Sequence, residues 1–314
     1  MLAWYKFHSL MECDGVAAME LRALEAFVQV LRCGGFTAAA DRMETTQPTV
    51  SKLVAQLERD LGQPLLRRDT RPAVATDAGR LVLAHAETML LAAANIRAGL
   101  SDLGQARSGE LRIGVPPLGP QLFVPLMHAF KLRHPGIELK LFEDGSKAIE
   151  AAMLAGELEL GGLLAPLDER RYEHIMLIDD RLALLAPARS RWSRRPVVRL
   201  AELAEESLIL FLAPYMLNER IEEACRQCGF VPEIAGRSGQ IGFIQELVRS
   251  GVGVALLPSS ELRHLSAEDF SISTLVEPEI PWRIDVAWLR GAYLSHAARA
   301  WLDVVHAERG ARAG

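Results

Sequence analysis

The chain has 314 residues, half of which are apolar, with a net charge of −5 and a pI near 6.0. This length and composition suit two or three hydrophobic cores, and no apolar run reaches the roughly 20 residues that a membrane-spanning helix needs. No membrane partner is therefore expected, and the four cysteines suit a reducing cytoplasm.

Residues 1–18 precede the first clear pattern. They carry one lysine and no long apolar segment, so they do not make a convincing signal peptide. We treat them as an N-terminal extension or an upstream start-codon assignment, and we hypothesise that Met19 is the natural start. N-terminal sequencing of natively expressed protein that found Met1 would contradict this hypothesis.

Three short helices are predicted next, and a tight turn joins the last two. Residues 21–31 place apolar side chains at helical spacing, and Gly34-Gly35 ends that helix. The second helix is small and apolar on one face, and Thr37 is its predicted N-cap. The third has Thr46 as its N-cap and Pro48 in its first turn, where the missing N–H costs little. Its buried face is predicted to contain Val50, Leu53, Val54 and Leu57.

The outward face of the third helix carries side chains that can bind DNA. Glutamine can pair bidentately with adenine, lysine can reach guanine or phosphate, and hydroxyl groups can donate or accept. A helix-turn-helix places such a face in the major groove. The alternative is an ordinary polar face on a small helical bundle. The outward residues are Gln47, Thr49, Ser51, Lys52 and Gln56.

Residues 64–76 are predicted to form two short strands around a basic tip. This is a wing, which can bring Arg71 to phosphates or into the minor groove. Residues 46–80 contain six Lys or Arg and four acidic residues, a difference of +2. We therefore expect DNA affinity to come from geometry and from several copies of the chain rather than from bulk charge.

A long helix without proline is predicted from Asp77 onward. Seven of its residues are spaced alternately four and three apart, which is the heptad pattern of a coiled coil. Such a helix can join two copies of the chain. The alternative is one face of a helix packed inside a single domain. The seven residues are Val82, Ala86, Met89, Ala93, Ile96, Leu100 and Leu103.

Strands and helices alternate in the rest of the chain. Strands are predicted at 111–115, 137–142, 156–164, 182–186, 208–211, 252–258 and 284–289. Helices are predicted at 121–133, 147–155, 218–228, 242–249 and from 295. The βαβαβ order implies a parallel sheet with helices on its faces, and a second similar unit follows it.

Several segments together resemble the LysR-type transcriptional regulators. They are MELRALEAF (19–27), GFTAAA (35–40), QPTVSK (47–52), LERDLG (57–62), LLRR (65–68), ATDAG (75–79), GELEL (156–160) and LVRSGVGVALLP (247–258). This ordered set is highly specific, and the resemblance extends from residue 19 to about residue 308.

The resemblance implies an α/β fold class with an N-terminal winged helix-turn-helix at 19–77 and a dimerising linker helix at 78–106. A two-lobed, periplasmic-binding-protein-like α/β effector domain is expected at 107–308. Its first lobe is expected at about 109–166 and 271–308, and its second at about 167–270.

The resemblance also implies which residues contact DNA. The base and phosphate contacts of the family carry over onto Gln47, Pro48, Ser51, Lys52 and wing Arg71. Lys52 stands where the family commonly has arginine, and it lacks the planar fork for bidentate guanine recognition. The complete expected set is Thr46, Gln47, Pro48, Thr49, Ser51, Lys52, Gln56 and Arg71.

A small-molecule effector is expected in the cleft between the two lobes, at the carboxyl ends of strands. Many relatives carry Ser or Thr in the loop after the first strand to bind a carboxylate, whereas this chain has prolines there. Either the pocket is more apolar than in those relatives, or it relies on Ser146, Lys147 and Gln240 for polar contacts to the effector. Alternatively, these residues only shape turns. The candidates are Pro117, Leu118, Ser146, Lys147, Leu212, Gln240 and Ile241, with Ser146 and Gln240 ranked highest.

Cys225 and Cys228 form a CxxC motif at a predicted helix end. Some CxxC motifs are redox-active, but here we favour a structural role. No second CxxC or His pair supplies zinc ligands, so no metal is expected. No other cofactor is expected either.

Neither an enzyme nor a transport protein explains the chain as well as a regulator does. The sequence contains no GxGxxG, P-loop, GxSxG or HExxH motif, so no catalytic residue is assigned. An exported solute-binding protein would lack the winged helix-turn-helix.

The expected mechanism joins these parts. The linker helices form a homodimer, and two dimers associate through the α/β lobes into a tetramer that binds double-stranded DNA. Effector binding changes the packing of the lobes, and hence the dimer spacing and the DNA bend. Transcription then responds through the access of RNA polymerase.

Overall fold

The computed structural model describes residues 19–67, 72–103, 109–213 and 215–313, and its contacts divide the chain into two compact units between Arg97 and Ala98. The elements of the N-terminal part are α1 (Leu21–Arg32), α2 (Phe36–Arg42), α3 (Gln47–Leu61), β1 (Leu66–Arg67), β2 (Val74–Ala75) and the long helix α4 (Asp77–Leu103). The two strands pair antiparallel, as predicted for a wing.

Helix α3 begins as the sequence predicted. Thr46 occupies the N-cap position with extended backbone, and its carbonyl accepts hydrogen bonds from the N–H groups of Thr49 and Val50 at 3.0 and 3.2 Å. Its hydroxyl lies 2.8 Å from that of Thr49 instead of capping a backbone N–H. The apolar face packs on α1, with Val50, Val54 and Leu57 buried and Leu53 half-buried.

Helix α4 packs by its first turns and exposes apolar residues farther along. Ala86 is buried and Val82 is half-buried against the N-terminal core. Met89 is 42% exposed, and Ile96 and Leu100 are each 65% exposed. The predicted heptad face is therefore divided, because its first part is covered by the chain's own core.

The second unit is built on a mixed sheet. Its strands are β3 (Glu110–Val115), β4 (Glu138–Glu143), β5 (Leu160–Leu164), β6 (Tyr172–Pro187), β7 (Val197–Arg199), β8 (Ser207–Phe211), β9 (Glu233–Ser238), β10 (Val254–Pro258), β11 (Phe270–Val276) and β12 (Pro281–Leu289). Its helices are α5 (Pro120–Arg133), α6 (Ser146–Leu154), α7 (Met216–Gln227), α8 (Ile241–Arg249), α9 (Ser259–Leu262) and α10 (His296–Ala313), with a 3₁₀ turn at Leu200–Leu203.

The strand order is β4-β3-β5-β12-β6-β10-β8-β9, and β11 pairs with β6 and β7. Strands β3, β4 and β5 are parallel, which confirms the predicted βαβαβ unit. Strand β12 pairs antiparallel with both β5 and β6, and β10 pairs antiparallel with β6. The sheet is therefore mixed rather than wholly parallel.

Strand β6 runs through both lobes, and its pairing differs from the expected lobe boundaries. Residues 172–181 pair with β12, so this part belongs to the sheet of the first lobe, not the second. Residues 182–187 pair with β10 and β11. Strand β11, expected in the first lobe from residue 271, lies in the second-lobe sheet. The expected boundaries missed this because no turn separates the two halves of β6.

Aromatic and aliphatic side chains fill a continuous core in the second unit. Its largest fully buried side chains include Trp192, Trp282 and Trp301. Among the described residues, no helix combines the length and the apolar character that crossing a membrane would require.

Candidate functional site

The first half of α3 presents the predicted DNA-binding residues on one surface of the N-terminal unit. Gln47, Pro48 and Lys52 are exposed, whereas Thr49 and Ser51 are half-buried. Gln47 and Ser51 line a groove of about 1010 Å³. The groove also contains Arg67 of the wing and residues 33–38, which include the turn before α2.

Gln47 and Gln56 differ in what their amide groups already contact. The Gln47 side chain has no hydrogen-bond partner among the described residues, so its amide can pair with a base edge. The Gln56 amide donates to Asp60 Oδ1 at 2.6 Å, and its oxygen accepts from Arg59 Nη2 at 2.5 Å. A bidentate base contact by Gln56 would compete with both of these bonds.

The carboxylate of Glu58 fixes the wing to α3. Its Oε1 accepts hydrogen bonds from the backbone N–H groups of Leu65 and Leu66 at 2.7 and 3.2 Å. The hydroxyl of Thr76 donates to the Pro64 carbonyl at 2.7 Å. The predicted contact residue Arg71 lies outside the described residues.

A small apolar cavity lies between the two lobes of the second unit. Its volume is about 40 Å³, and no ionisable acid, lysine, arginine or histidine lines it. We call it the inter-lobe cavity. Its lining residues are Pro116, Pro117, Leu118, Gly145, Ser146, Leu164, Phe211, Tyr215, Met216, Leu217, Trp282 and Ile284.

Ser146 and Tyr215 supply the two hydroxyl groups of this lining. Ser146 is buried, and its Oγ accepts a hydrogen bond from the Leu164 N–H at 3.0 Å, which leaves the O–H free to donate. The Tyr215 ring stands edge-on to Phe211, with the ring centroids 5.9 Å apart. Burial, together with the nearby Asp144 carboxylate, raises the pKa of the Tyr215 phenol.

Three of the seven predicted effector residues line the cavity, namely Pro117, Leu118 and Ser146. The other four are not among its lining residues. Lys147 is exposed and pairs with Glu219 across the lobes. Gln240 is exposed at the N-cap of α8, and Ile241 begins that helix.

Leu212 lies one residue beyond the cavity lining. Strand β8 ends at Phe211, whose side chain points into the cavity, and the side chain of Leu212 is 47% exposed. Neighbouring residues along an extended chain face opposite ways, so Phe211 lines the cavity and Leu212 does not. Sequence reasoning also missed Tyr215, Met216, Trp282 and Ile284. The alternation of side chains between the two faces of β8 could have indicated Phe211. No local sequence pattern indicates the other four residues.

The CxxC motif is poorly placed for thiolate chemistry. Cys225 is fully buried in α7, and burial, with smaller contributions from Cys228 and Glu222, raises its pKa to about 11. The Cys228 Sγ lies 3.7 Å from the Glu277 carbonyl oxygen. No group of three His, Cys, Asp or Glu in the described part of the chain is arranged to hold a metal ion.

Comparison with known proteins decides the family. Residues 21–80 match the family described as "Bacterial regulatory helix-turn-helix protein, lysR family", and residues 104–310 match the LysR substrate binding domain. The chain belongs to the LysR family of transcriptional regulators. It is therefore a DNA-binding regulator with an effector-binding domain, as the sequence predicted.

Individual transcriptional regulators resemble most of the chain. The "Uncharacterized HTH-type transcriptional regulator YwbI" of Bacillus subtilis is 33% identical over 286 residues, covering 91% of this chain and 95% of that protein. The "DNA-binding transcriptional dual regulator OxyR" of Escherichia coli is 29% identical over 245 residues, covering 77% and 79%.

Solved structures of LysR regulators share the fold. Full-length OxyR of Pseudomonas aeruginosa aligns with a TM-score of 0.57 at 25% identity, covering 92% of this chain and 95% of that chain. Full-length CbnR complexed with its target DNA aligns with a TM-score of 0.53 at 22% identity, covering 91% and 99%.

Proposed function

We propose that this LysR regulator recognises its operator through the first half of α3, with Gln47 contacting a base edge in the major groove. The observation that carries the proposal is the exposed Gln47 amide, which has no partner among the described residues and lies beside Ser51 in one groove. Amide groups pair bidentately with adenine. Lys52, on the same exposed face, supplies a positive charge for guanine or phosphate.

The domain roles in this proposal follow the expected boundaries. Residues 19–77 bind DNA, residues 78–106 form the dimerising helix, and residues 107–308 bind the effector. Within the effector domain, we assign residues 172–181 to the first lobe and β11 to the second, because they pair with the strands of those sheets.

Self-association supports the use of a two-fold symmetric operator. The apolar side chains that α4 exposes, including Met89 and Ile96, are available to a second copy of the chain. The α/β lobes also expose apolar side chains, among them Leu132 and Phe243, which can join two dimers. A dimer presents two recognition helices to half-sites about one helical turn apart, or a multiple of that distance.

The effector is proposed to bind in the inter-lobe cavity. Its apolar lining favours an uncharged ligand, because no positive side chain faces the cavity to pair with a carboxylate. A volume of about 40 Å³ is far below the few hundred Å³ of a typical ligand pocket, so binding requires Tyr215 to move. The resulting change in lobe packing would alter dimer spacing and RNA polymerase access.

No catalytic role is assigned, since a regulator acts through binding. The proposed place of action is the cytoplasm, where the operator DNA is found. An enzyme would turn over a substrate without DNA, whereas this protein is expected to change its DNA affinity or footprint when a small molecule binds.

Selection of bound duplexes from a random DNA pool tests the proposal. Purified full-length protein should enrich an interrupted palindrome, and the Gln47→Ala variant should enrich an altered one. The matched control is Gln56→Ala, which changes a glutamine already bonded within the helix. The same enriched sequence from wild type and Gln47→Ala would refute the assigned base contact.

A further inference from the structure

A groove larger than the inter-lobe cavity is lined by residues of both lobes. Its volume is about 810 Å³, and we call it the hinge groove. Helix α7 forms one wall. The other is formed by residues 165–166, which follow β5, and by residues 278–281, which carry the chain from β11 of the second lobe to β12 of the first. Met216 lines both this groove and the inter-lobe cavity, so the two spaces are neighbours.

Arg220 of α7 is the unusual residue of this groove. Its side chain is half-buried, and its Nη1 donates to the Pro281 carbonyl at 3.2 Å. Its Nη2 donates to the Ala165 carbonyl. Burial lowers the pKa of this guanidinium, and no carboxylate of the described residues lies within ion-pair distance of it. Charges in such surroundings normally have a counter-ion.

The carboxylates around Arg220 are directed at other cations. Glu219 pairs with Lys147. Glu223 accepts from Arg226 at 2.7 Å, and Glu279 accepts from Arg181 at 2.5 Å.

The remaining charges of the groove are also matched. Arg283 forms a bidentate pair with buried Asp285, with both distances 2.7 Å. Asp179 acts electrostatically on Arg181 and Arg283. Arg220 is therefore the groove cation for which the described residues supply no acidic partner.

We propose that the hinge groove binds a small organic carboxylate whose oxygens accept hydrogen bonds from Arg220. A guanidinium has five N–H donors, and the two backbone carbonyls leave donors for a ligand. The surrounding acidic groups favour a single compact carboxylate over a highly charged anion. This site lies beyond the proposed effector site, and it does not depend on a ligand in the inter-lobe cavity.

The location gives such a ligand a route to influence the lobes. Arg220 belongs to a second-lobe helix, and its two carbonyl partners lie at the end of β5 and the start of β12 in the first-lobe sheet. An anion bound to Arg220 would weaken or strengthen the hydrogen bonds to the Ala165 and Pro281 carbonyls. It would thereby change how firmly α7 of the second lobe is held to the first lobe.

Ligand-observed NMR on the full-length protein tests the proposal with sodium butyrate, its neutral analogue butyramide, and inorganic phosphate. We expect saturation transfer to butyrate and none to butyramide. Charge-assisted hydrogen bonds are worth about 1.5–3 kcal/mol, so Arg220→Gln should weaken butyrate binding by about tenfold or more. Arg226→Gln is the matched control in the same groove, and it should bind butyrate as wild type does.

Three outcomes would overturn the proposal: no transfer to butyrate, equal affinity in wild type and Arg220→Gln, or a response to phosphate alone. If Arg220→Gln fails to fold, Arg220→Lys keeps the positive charge and should keep most of the butyrate binding. A folded Arg220→Lys protein that lost butyrate binding would also contradict the site. None of these results depends on the operator experiment.

Discussion

Tyr215 occupies the space that any side chain at position 145 would need. A Cβ built on Gly145 would lie only 2.6 Å from Cδ1 of the Tyr215 ring. Gly145 precedes α6 in the first lobe, and Tyr215 precedes α7 in the second. The close contact of these two residues closes the inter-lobe cavity from within and leaves the small volume observed.

Removing the Tyr215 ring should enlarge the cavity at a cost in stability. For Tyr215→Ala we expect the free energy of unfolding to fall by about 2 kcal/mol, less than for a fully buried aromatic because the ring is half-buried. Indole should stabilise this variant against heat more than it stabilises wild type. Leu212→Ala, an exposed neighbour, is the control for both measurements. Equal indole effects in all three proteins would contradict the role of the ring.

Substitution of Gln47 should change sequence preference at one position of each half-site. Loss of a bidentate amide–adenine pair costs about 1–3 kcal/mol at the contacted base and relaxes selectivity there. Competition binding with operator duplexes altered one base pair at a time measures this. Gln56→Ala should retain the wild-type sequence preference. If Gln56→Ala lost as much selectivity as Gln47→Ala, the assignment of the base contact to Gln47 alone would be wrong.

Arg71, which the sequence predicts at the tip of the wing, should behave differently from Gln47. We expect Arg71→Ala to weaken binding to all duplexes alike, because a phosphate contact carries no base information. The slope of log affinity against log salt concentration should become about one unit less steep. Fluorescence anisotropy over a range of salt concentrations gives both quantities, and a change confined to one sequence would contradict a phosphate contact.

Glu261 should make stability depend on pH. Its side chain is 8% exposed, and burial, with a smaller effect from Asp180, raises the pKa of its carboxyl group. The protonated form is therefore favoured in the folded protein. Its stabilisation is present below the ordinary glutamate pKa and is lost as the pH rises through the raised value.

Denaturant unfolding of wild type and Glu261→Gln across this pH range checks the sign. The amide can still accept the hydrogen bond that Gln121 Nε2 donates to the carboxylate at 3.1 Å. The free energy of unfolding of Glu261→Gln should increase relative to that of wild type as the pH rises. The Glu268→Gln variant, at an exposed site, should show no such increase. A stability difference that stays flat with pH would contradict the expectation.

Peroxide should leave DNA affinity unchanged. With a pKa of about 11, only about one Cys225 side chain in ten thousand is a thiolate at neutral pH. Operator affinity before and after peroxide treatment measures the response. If peroxide altered the affinity and Cys225→Ser abolished that change, the structural interpretation of this pair would be wrong.

The DNA-binding half was more predictable from sequence than the effector site. Helix α3 could be placed within a residue because Thr46, Pro48 and the apolar spacing from Val50 are local signals. The cavity joins Phe211 to Trp282, about seventy positions later in the chain, and only tertiary packing brings them together. The charged run at Asp179-Asp180-Arg181 concealed the continuity of β6, because charges are unusual in the middle of a strand.

Strand β6 has a mechanical consequence. A flexible loop between two bodies permits wide swinging, but here sixteen consecutive residues, about 50 Å of extended backbone, are hydrogen-bonded into both sheets. The easiest deformation of such a ribbon is a change in its twist, since bending it sharply would break ladder hydrogen bonds. We therefore expect ligand binding to change the twist of β6. One lobe would then rotate against the other by a small angle, and the cleft between them would not open and close widely.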